Sequence, residues 1–113
     1  MRKLAIVATI KTAPGKRDEY LKHLRAHAER CRATEPGTLQ FEILVQGSGF
    51  GGPAPQFEIL VPQKEEDTLM LYEVYVSPEA FQAHWEGQSM KQVRRDSEGL
   101  QLSLSGVRCD LVE

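Results

Sequence analysis

Between residues 3 and 12 the side chains alternate with a period of two. Leu4, Ile6, Ala8 and Ile10 fall on one face, Ala5, Val7 and Thr9 on the other. Both sets are largely apolar, which predicts a strand covered on two sides. Pro14-Gly15 breaks the pattern, and proline suits the turn that opens a helix. From 16 to 33 the period lengthens: Leu21, Leu24, Ala28 and Cys31 recur at spacings of three and four, with Tyr20 beside them, on an otherwise charged rod. Glu35-Pro36-Gly37 ends this helix, since proline cannot continue it and glycine permits a tight turn. A strand follows at 38–46 through Leu39, Phe41, Ile43 and Val45, then a glycine-rich loop from Gly47 to Pro55, a second strand-like run at 56–61, and a charged turn from Gln63 to Asp67.

Residues 68–76 carry the strongest strand pattern. Leu69, Leu71, Glu73 and Tyr75 share one face; Met70, Tyr72, Val74 and Val76 share the other. Ser77-Pro78-Glu79 has a hydroxyl N-cap, a proline in the first turn and an acid at the positive end of the helix dipole. Phe81, His84, Trp85 and Gln88 then line one helical face, Gly87 ends or kinks the helix, and a further short helix covers about 89–97. The last strand runs over 100–112. Leu100, Leu102 and Leu104 alternate, then Val107, Cys109 and Leu111 alternate out of phase, which predicts a β-bulge at Gly106.

The order is β-α-β-(extra strand)-β-α-β: an α+β chain with the split-βαβ, ferredoxin-like pattern and an antiparallel sheet, in one domain spanning 1–113. Two helices cover one face of such a sheet, yet its first and third core strands are apolar on both. The expected cover for the second face is another copy of the chain, giving a homodimer with sheets packed face to face. The extra strand has a visible origin. Gln40-Phe41-Glu42-Ile43-Leu44-Val45 recurs unchanged as Gln56-Phe57-Glu58-Ile59-Leu60-Val61, so 46–61 reads as an inserted or duplicated segment. Both copies have strand alternation around a loop that can turn, which favours a β-hairpin. Its role as a lid, a dimer arm or a neutral addition stays open.

Composition narrows the function. Hydrophobic residues make up 41% and charged residues 27%, as in ordinary globular domains, and the net charge is −2. The densest basic group, Lys91, Arg94 and Arg95, is followed at once by Asp96 and Glu98, and reads as a solvated helix face rather than a nucleic-acid site. No apolar run approaches the roughly 18 residues of a membrane span. Two cysteines without a CxxC make no metal framework, and with no signal-peptide pattern the expected location is the cytoplasm.

His84 is the leading candidate for chemistry. It shares a helical face with Phe81 and Trp85, so it points toward the sheet, where an imidazole can act as a base near neutral pH. The bland alternative is a core histidine bonded to backbone. Glu73 and Tyr75 lie on one face of an inner strand, as either a polarised pair or a structural hydrogen bond. Phe41, Tyr72, Phe81, Trp85 and Met90 are the expected substrate-binding walls, with plain core packing as the competing fate of the aromatics. His23 and His27 are four residues apart but lack an HExxH and a third ligand; exposure between Lys22, Arg25 and Arg30 is expected, and no metal site. The glycine run lacks the Lys-Ser/Thr and the following helix of a phosphate loop.

Thr12-Ala13-Pro14-Gly15, Glu35-Pro36-Gly37-Thr38-Leu39-Gln40-Phe41, Leu71-Tyr72-Glu73-Val74-Tyr75 and Glu79-Ala80-Phe81-Gln82-Ala83-His84 together resemble the antibiotic biosynthesis monooxygenase (ABM) domain, from about residue 3 to 111. The resemblance implies a dimeric α/β barrel and a small enzyme. Some members oxygenate aromatic polyketides or quinols with dioxygen and no metal or flavin, the substrate anion itself reducing dioxygen in a dry pocket. On that model no cofactor is needed, His84 matches the family's frequent helix histidine as base or orienting donor, and Glu73 and Tyr75 match the strand motif before it. Related domains degrade haem or isomerise a small phosphorylated signalling sugar. The haem-degrading set of asparagine, tryptophan and histidine is replaced here by Ala8, His84 and Arg94, which argues against haem. The signalling-sugar branch shares the Glu-Pro-Gly and Leu-Tyr-Glu motifs and is the runner-up, beside a non-enzymatic small-molecule-binding dimer.

Overall fold

The computed structural model describes residues 2–47 and 65–112. Seven elements follow in order: β1 (Leu4–Thr12), α1 (Arg17–Thr34), β2 (Thr38–Leu44), β3 (Thr68–Tyr75), α2 (Pro78–Trp85), α3 (Gln88–Asp96) and β4 (Gln101–Asp110). The four strands form one antiparallel sheet in the order β2-β3-β1-β4. This is the predicted α+β ferredoxin-like arrangement. The second copy of the repeated hexapeptide, at 56–61, lies outside the described residues, and so does the predicted hairpin.

The helical side of the sheet holds the core. Ala8 and Ile10 from β1, Phe41 from β2 and Leu69 and Leu71 from β3 pack against Tyr20, Leu24, Ala28 and Cys31 of α1, with Leu100 closing one end. α1 obeys its dipole, with Asp18 and Glu19 in the first turn and Arg32 in the last. Gly15 precedes it at φ 74°, a conformation that favours glycine. α2 begins as its sequence predicts: the Ser77 hydroxyl accepts a hydrogen bond from the Ala80 amide at 3.2 Å, and Pro78 occupies the first turn. Gly37 lets β2 pass close beneath this helix, since a Cβ there would stand 2.6 Å from that of Ala80.

Two register expectations are corrected. β1 and β4 pair without interruption from Leu4↔Asp110 to Lys11↔Ser103, passing through Ala8↔Gly106; the irregularity lies at Thr12↔Gln101. The out-of-phase leucines and valines therefore mark a strand whose apolar residues change faces, with Leu104 on the helical side and Val107 and Cys109 on the other. Gly106 is no bulge. In β2 the register shifts between Thr38 and Gln40, so Leu39 is left 48% exposed while Thr38 and Phe41 both turn inward.

The opposite face of the sheet carries Ala5 and Val7 of β1, Met70, Tyr72 and Val74 of β3, Leu44 of β2 and Val107 of β4. Val7, Leu44, Met70 and Val107 are exposed. No described helix is long and apolar enough to cross a membrane.

Candidate functional site

Between the sheet and the helices lies a cavity of about 430 Å³. Ile6, Ala8 and Ile10 form its floor, Leu24, Phe41 and Leu71 one side, and Phe81, Trp85, Met90 and Val93 the other; Tyr20, His27, Glu73, His84, Arg94, Gln101 and Arg108 supply polar groups. Mostly apolar walls with a few placed polar groups are what a small-molecule site requires.

His84 is buried on α2 and its imidazole is gripped from one side. Its Nδ1 lies 2.7 Å from Oε1 of Glu35, an oxygen that also accepts the Thr38 hydroxyl at 2.8 Å. Glu35 is the C-cap of α1. With Nδ1–H donated to this carboxylate, Nε2 keeps its lone pair, and Glu73 Oε1 stands 4.0 Å from it. A carboxylate that fixes one tautomer and leaves the other nitrogen bare is the standard preparation of a histidine base. Tyr75 lies beneath, donating its hydroxyl to Glu73. Burial pushes the Glu73 carboxyl above its usual range, and burial followed by the Glu73 charge pushes the Tyr75 phenol well up, so Tyr75 stays a neutral donor.

α1 brings two further groups. His27 is buried, 2% exposed, where the sequence predicted a surface position. The helix turns it inward beside Ala28 and Cys31, and its ring meets Phe41 edge-on at 5.3 Å. Its Nδ1 lies 3.2 Å from the carbonyl of Ser89, which can only accept, so Nδ1 carries the proton and Nε2 is bare. Burial, then the neighbouring His84 and Arg30, lower its pKa to about 4, keeping it neutral. The Cys31 thiol lies 3.5 Å from His27 Nε2 and 3.7 Å from His84 Nδ1. Burial above all raises its pKa to about 12.

Of the residues singled out in the sequence, the structure gathers His84, Glu73, Phe41, Phe81, Trp85 and Met90 around the cavity. Tyr75 supports Glu73 from outside the lining. Tyr72 does not join them: it pairs with Val7 and Glu42 on the opposite face of the sheet, as the alternation of β3 requires. Pattern reading missed Glu35, His27, Cys31, Gln101 and Arg108. Glu35 carried a signal, since an acid at the C-terminus of a helix opposes the dipole and asks for another reason to be there. Tyr20, placed in the α1 stripe as packing, also donates its hydroxyl to Gln101 at 2.8 Å across the cavity wall.

The family model for antibiotic biosynthesis monooxygenase matches residues 4–52. Among solved structures, a Caulobacter crescentus protein provisionally described as an antibiotic biosynthesis monooxygenase superposes with a TM-score of 0.77 at 22% identity, covering 99% of this chain and 92% of that one. A Pseudomonas aeruginosa protein gives 0.77 at 18% identity, over 100% and 97% of the two chains. A Nitrosomonas europaea protein with the same provisional description gives 0.77 at 17% identity, over 97% and 90%. No curated protein matches the chain at a significant level.

Proposed function

For a chain that resembles the antibiotic biosynthesis monooxygenases in its motifs and in its fold, we propose a cofactor-independent monooxygenase acting on a small electron-rich aromatic or quinol. The observation that carries this reading is the His84 imidazole, held at Nδ1 by Glu35 and set with a bare Nε2 on the wall of an apolar cavity. Nε2 takes a proton from a phenol or enol. The resulting anion gives electrons to dioxygen, a C–O bond forms and the O–O bond breaks. An anthrone CH₂ becomes a ketone with release of one water, and a quinol becomes a hydroxyquinone with release of one water, so the substrate supplies every electron. The protein's part is the base, the orientation of the ring between Phe41, Phe81 and Trp85, and exclusion of water. Glu73, held by Tyr75, faces the same imidazole and returns or receives a proton as the oxygen intermediate collapses.

The working unit of this reading is a homodimer, supported by the exposed apolar row Val7, Leu44, Met70 and Val107 on the face the helices leave open. The test is dioxygen uptake by the pure protein with a panel of hydroquinones and anthrones. Uptake above buffer that His84→Ala lowers by about 100-fold or more is expected; no uptake with any member of the panel defeats the proposal. One observation favours a second reading. Arg94 and Arg108 both line the cavity, whereas Lys91 does not, and two guanidiniums suit the phosphate of a small phosphorylated sugar. Saturable binding of phosphorylated sugars, lost in the Arg94→Ala and Arg108→Ala variants without any oxygen uptake, would select an isomerase instead.

A further inference from the structure

His27, Cys31 and His84 converge although nothing in their spacing announces a triad. His27 and Cys31 are one turn apart on α1, and α2 lays His84 across them. Each offers a donor atom within 4.8 Å of the other two, and all three are buried. From Cys31 Sγ the distances are 3.5 Å to His27 Nε2 and 3.7 Å to His84 Nδ1. A tetrahedral zinc ion with Zn–S near 2.3 Å and Zn–N near 2.0–2.1 Å separates its sulfur and nitrogen ligands by about 3.6 Å. The surroundings agree with this geometry. His27 donates Nδ1–H to the Ser89 carbonyl, the outer-shell bond that orients a metal-bound imidazole and leaves Nε2 as the ligand. Glu35 Oε1 stands 2.7 Å from His84 Nδ1, at the edge of this trio, and is the carboxylate that can swing in as a fourth donor.

We propose that His27 Nε2, Cys31 Sγ, His84 Nδ1 and the Glu35 carboxylate form a binding site for one thiophilic divalent cation of the zinc class. The donor set of one thiolate, two imidazoles and one carboxylate fits that class and not magnesium or calcium. A dication meets one thiolate and one carboxylate, so its charge is balanced in the interior. Binding moves protons in a defined way. The thiol proton leaves to solvent as the metal–sulfur bond forms. The proton of His84 Nδ1 gives way to the metal–nitrogen bond, and the neutral imidazole then carries its proton on Nε2. His27 keeps its proton on Nδ1 throughout. The cavity, whose wall includes both imidazoles, is the way in.

A consequence follows for the proposed oxygenase, and it alone rests on that reading: with Nε2 protonated, His84 has no lone pair for substrate, so the metal silences the base. Binding itself is read without substrate. Chelator-treated protein is titrated with Co²⁺ and followed by visible and near-ultraviolet absorption. One Co²⁺ per chain, with tetrahedral ligand-field bands and a sulfur-to-cobalt charge-transfer band, is expected, and Zn²⁺ displaces it. Cys31→Ser removes the charge-transfer band, and His27→Gln weakens binding by at least the roughly 10–100-fold that loss of a supporting group costs. Thermal unfolding of both variants establishes that they fold. His23→Gln, on the same helix but outside the cluster, leaves the titration unchanged. A titration with no charge-transfer band, or a band that survives Cys31→Ser and vanishes in Cys109→Ser, overturns the assignment. Metal binding without any oxygenase activity leaves the site standing and removes only its inhibitory role; activity indifferent to stoichiometric Zn²⁺ does the same.

Discussion

At the scale of single residues, the site depends on what Glu35 does to His84. The carboxylate is a positioning group: it acts on the proton of Nδ1 and does not line the cavity. Glu35→Gln keeps the shape and removes the charge that stabilises the imidazolium formed during turnover. The expected result is a kcat lowered by about 100-fold or more with KM little changed; a change confined to KM would instead mark Glu35 as a substrate contact. Tyr20 offers a separate test of burial. Desolvation raises its phenol from the ordinary tyrosine value of 10.0 to about 12. Below pH 10 both folded and unfolded chains hold the proton, and the contribution is complete. Between pH 10 and about 12 the unfolded chain releases the proton first, so stability falls as pH rises. Denaturant titrations across that range should show a decline that Tyr20→Phe reduces, with phenolate absorbance appearing late in the folded protein. The places of His84, Glu73, Phe41, Phe81 and Trp85 around the cavity were legible in the sequence because each follows from the periodicity of its own element, whereas Tyr72, expected among the walls, lies on the other face. Those of Glu35, His27 and Cys31 were not legible, because their partners lie on other elements.

At the scale of elements, the position of His84 is the position of α2. That helix is capped by Ser77 and held against β2 where Gly37 leaves room. Gly37→Ala drives a methyl group into Ala80, and two backbones must separate to admit it. A loss of roughly 1–3 kcal/mol is expected, seen as a lower thermal midpoint, together with a disproportionate fall in activity as His84 moves from Glu35. Full activity at reduced stability would show that α2 docks through other contacts. The two register differences belong to this scale as well. The apolar pattern of β4 changes phase at Gly106 because the residues to be covered change faces, not because a residue is inserted. Alternation reports which residues are apolar and is silent on which neighbour covers them. In β2 the shift at Leu39 swings that side chain outward while Thr38 turns in to meet Glu35; both outcomes depend on pairing with β3, which β2's own residues do not specify.

At the scale of the whole molecule, one face of the sheet is clothed by the described helices α1, α2 and α3 and the other presents Val7, Leu44, Met70 and Val107 to solvent. A second chain laid on that face removes this surface from water, and each such side chain contributes about 1.5–3 kcal/mol when fully buried. Sedimentation equilibrium should therefore report twice the chain mass. Val7→Glu places a charge in the middle of the patch and should shift the protein to monomer while its circular dichroism stays the same. A wild-type monomer at micromolar concentration would remove the dimer from the proposed working unit.

Among the described residues, the order of elements, the class of the fold and the apolar character of both sheet faces were determined by the sequence alone, since each is a matter of periodicities and breakers acting over a few residues. The helix face bearing His84, Phe81 and Trp85 was determined in the same way. Only the tertiary structure decided that Glu35 meets His84 across 49 residues of chain, that His27 and Cys31 face that imidazole, and that Tyr72 lies on the far side from it. Those meetings are set by how α1 and α2 settle on one sheet, where a helix rotated or slid by a single turn would bring different side chains together, and no local pattern records that choice.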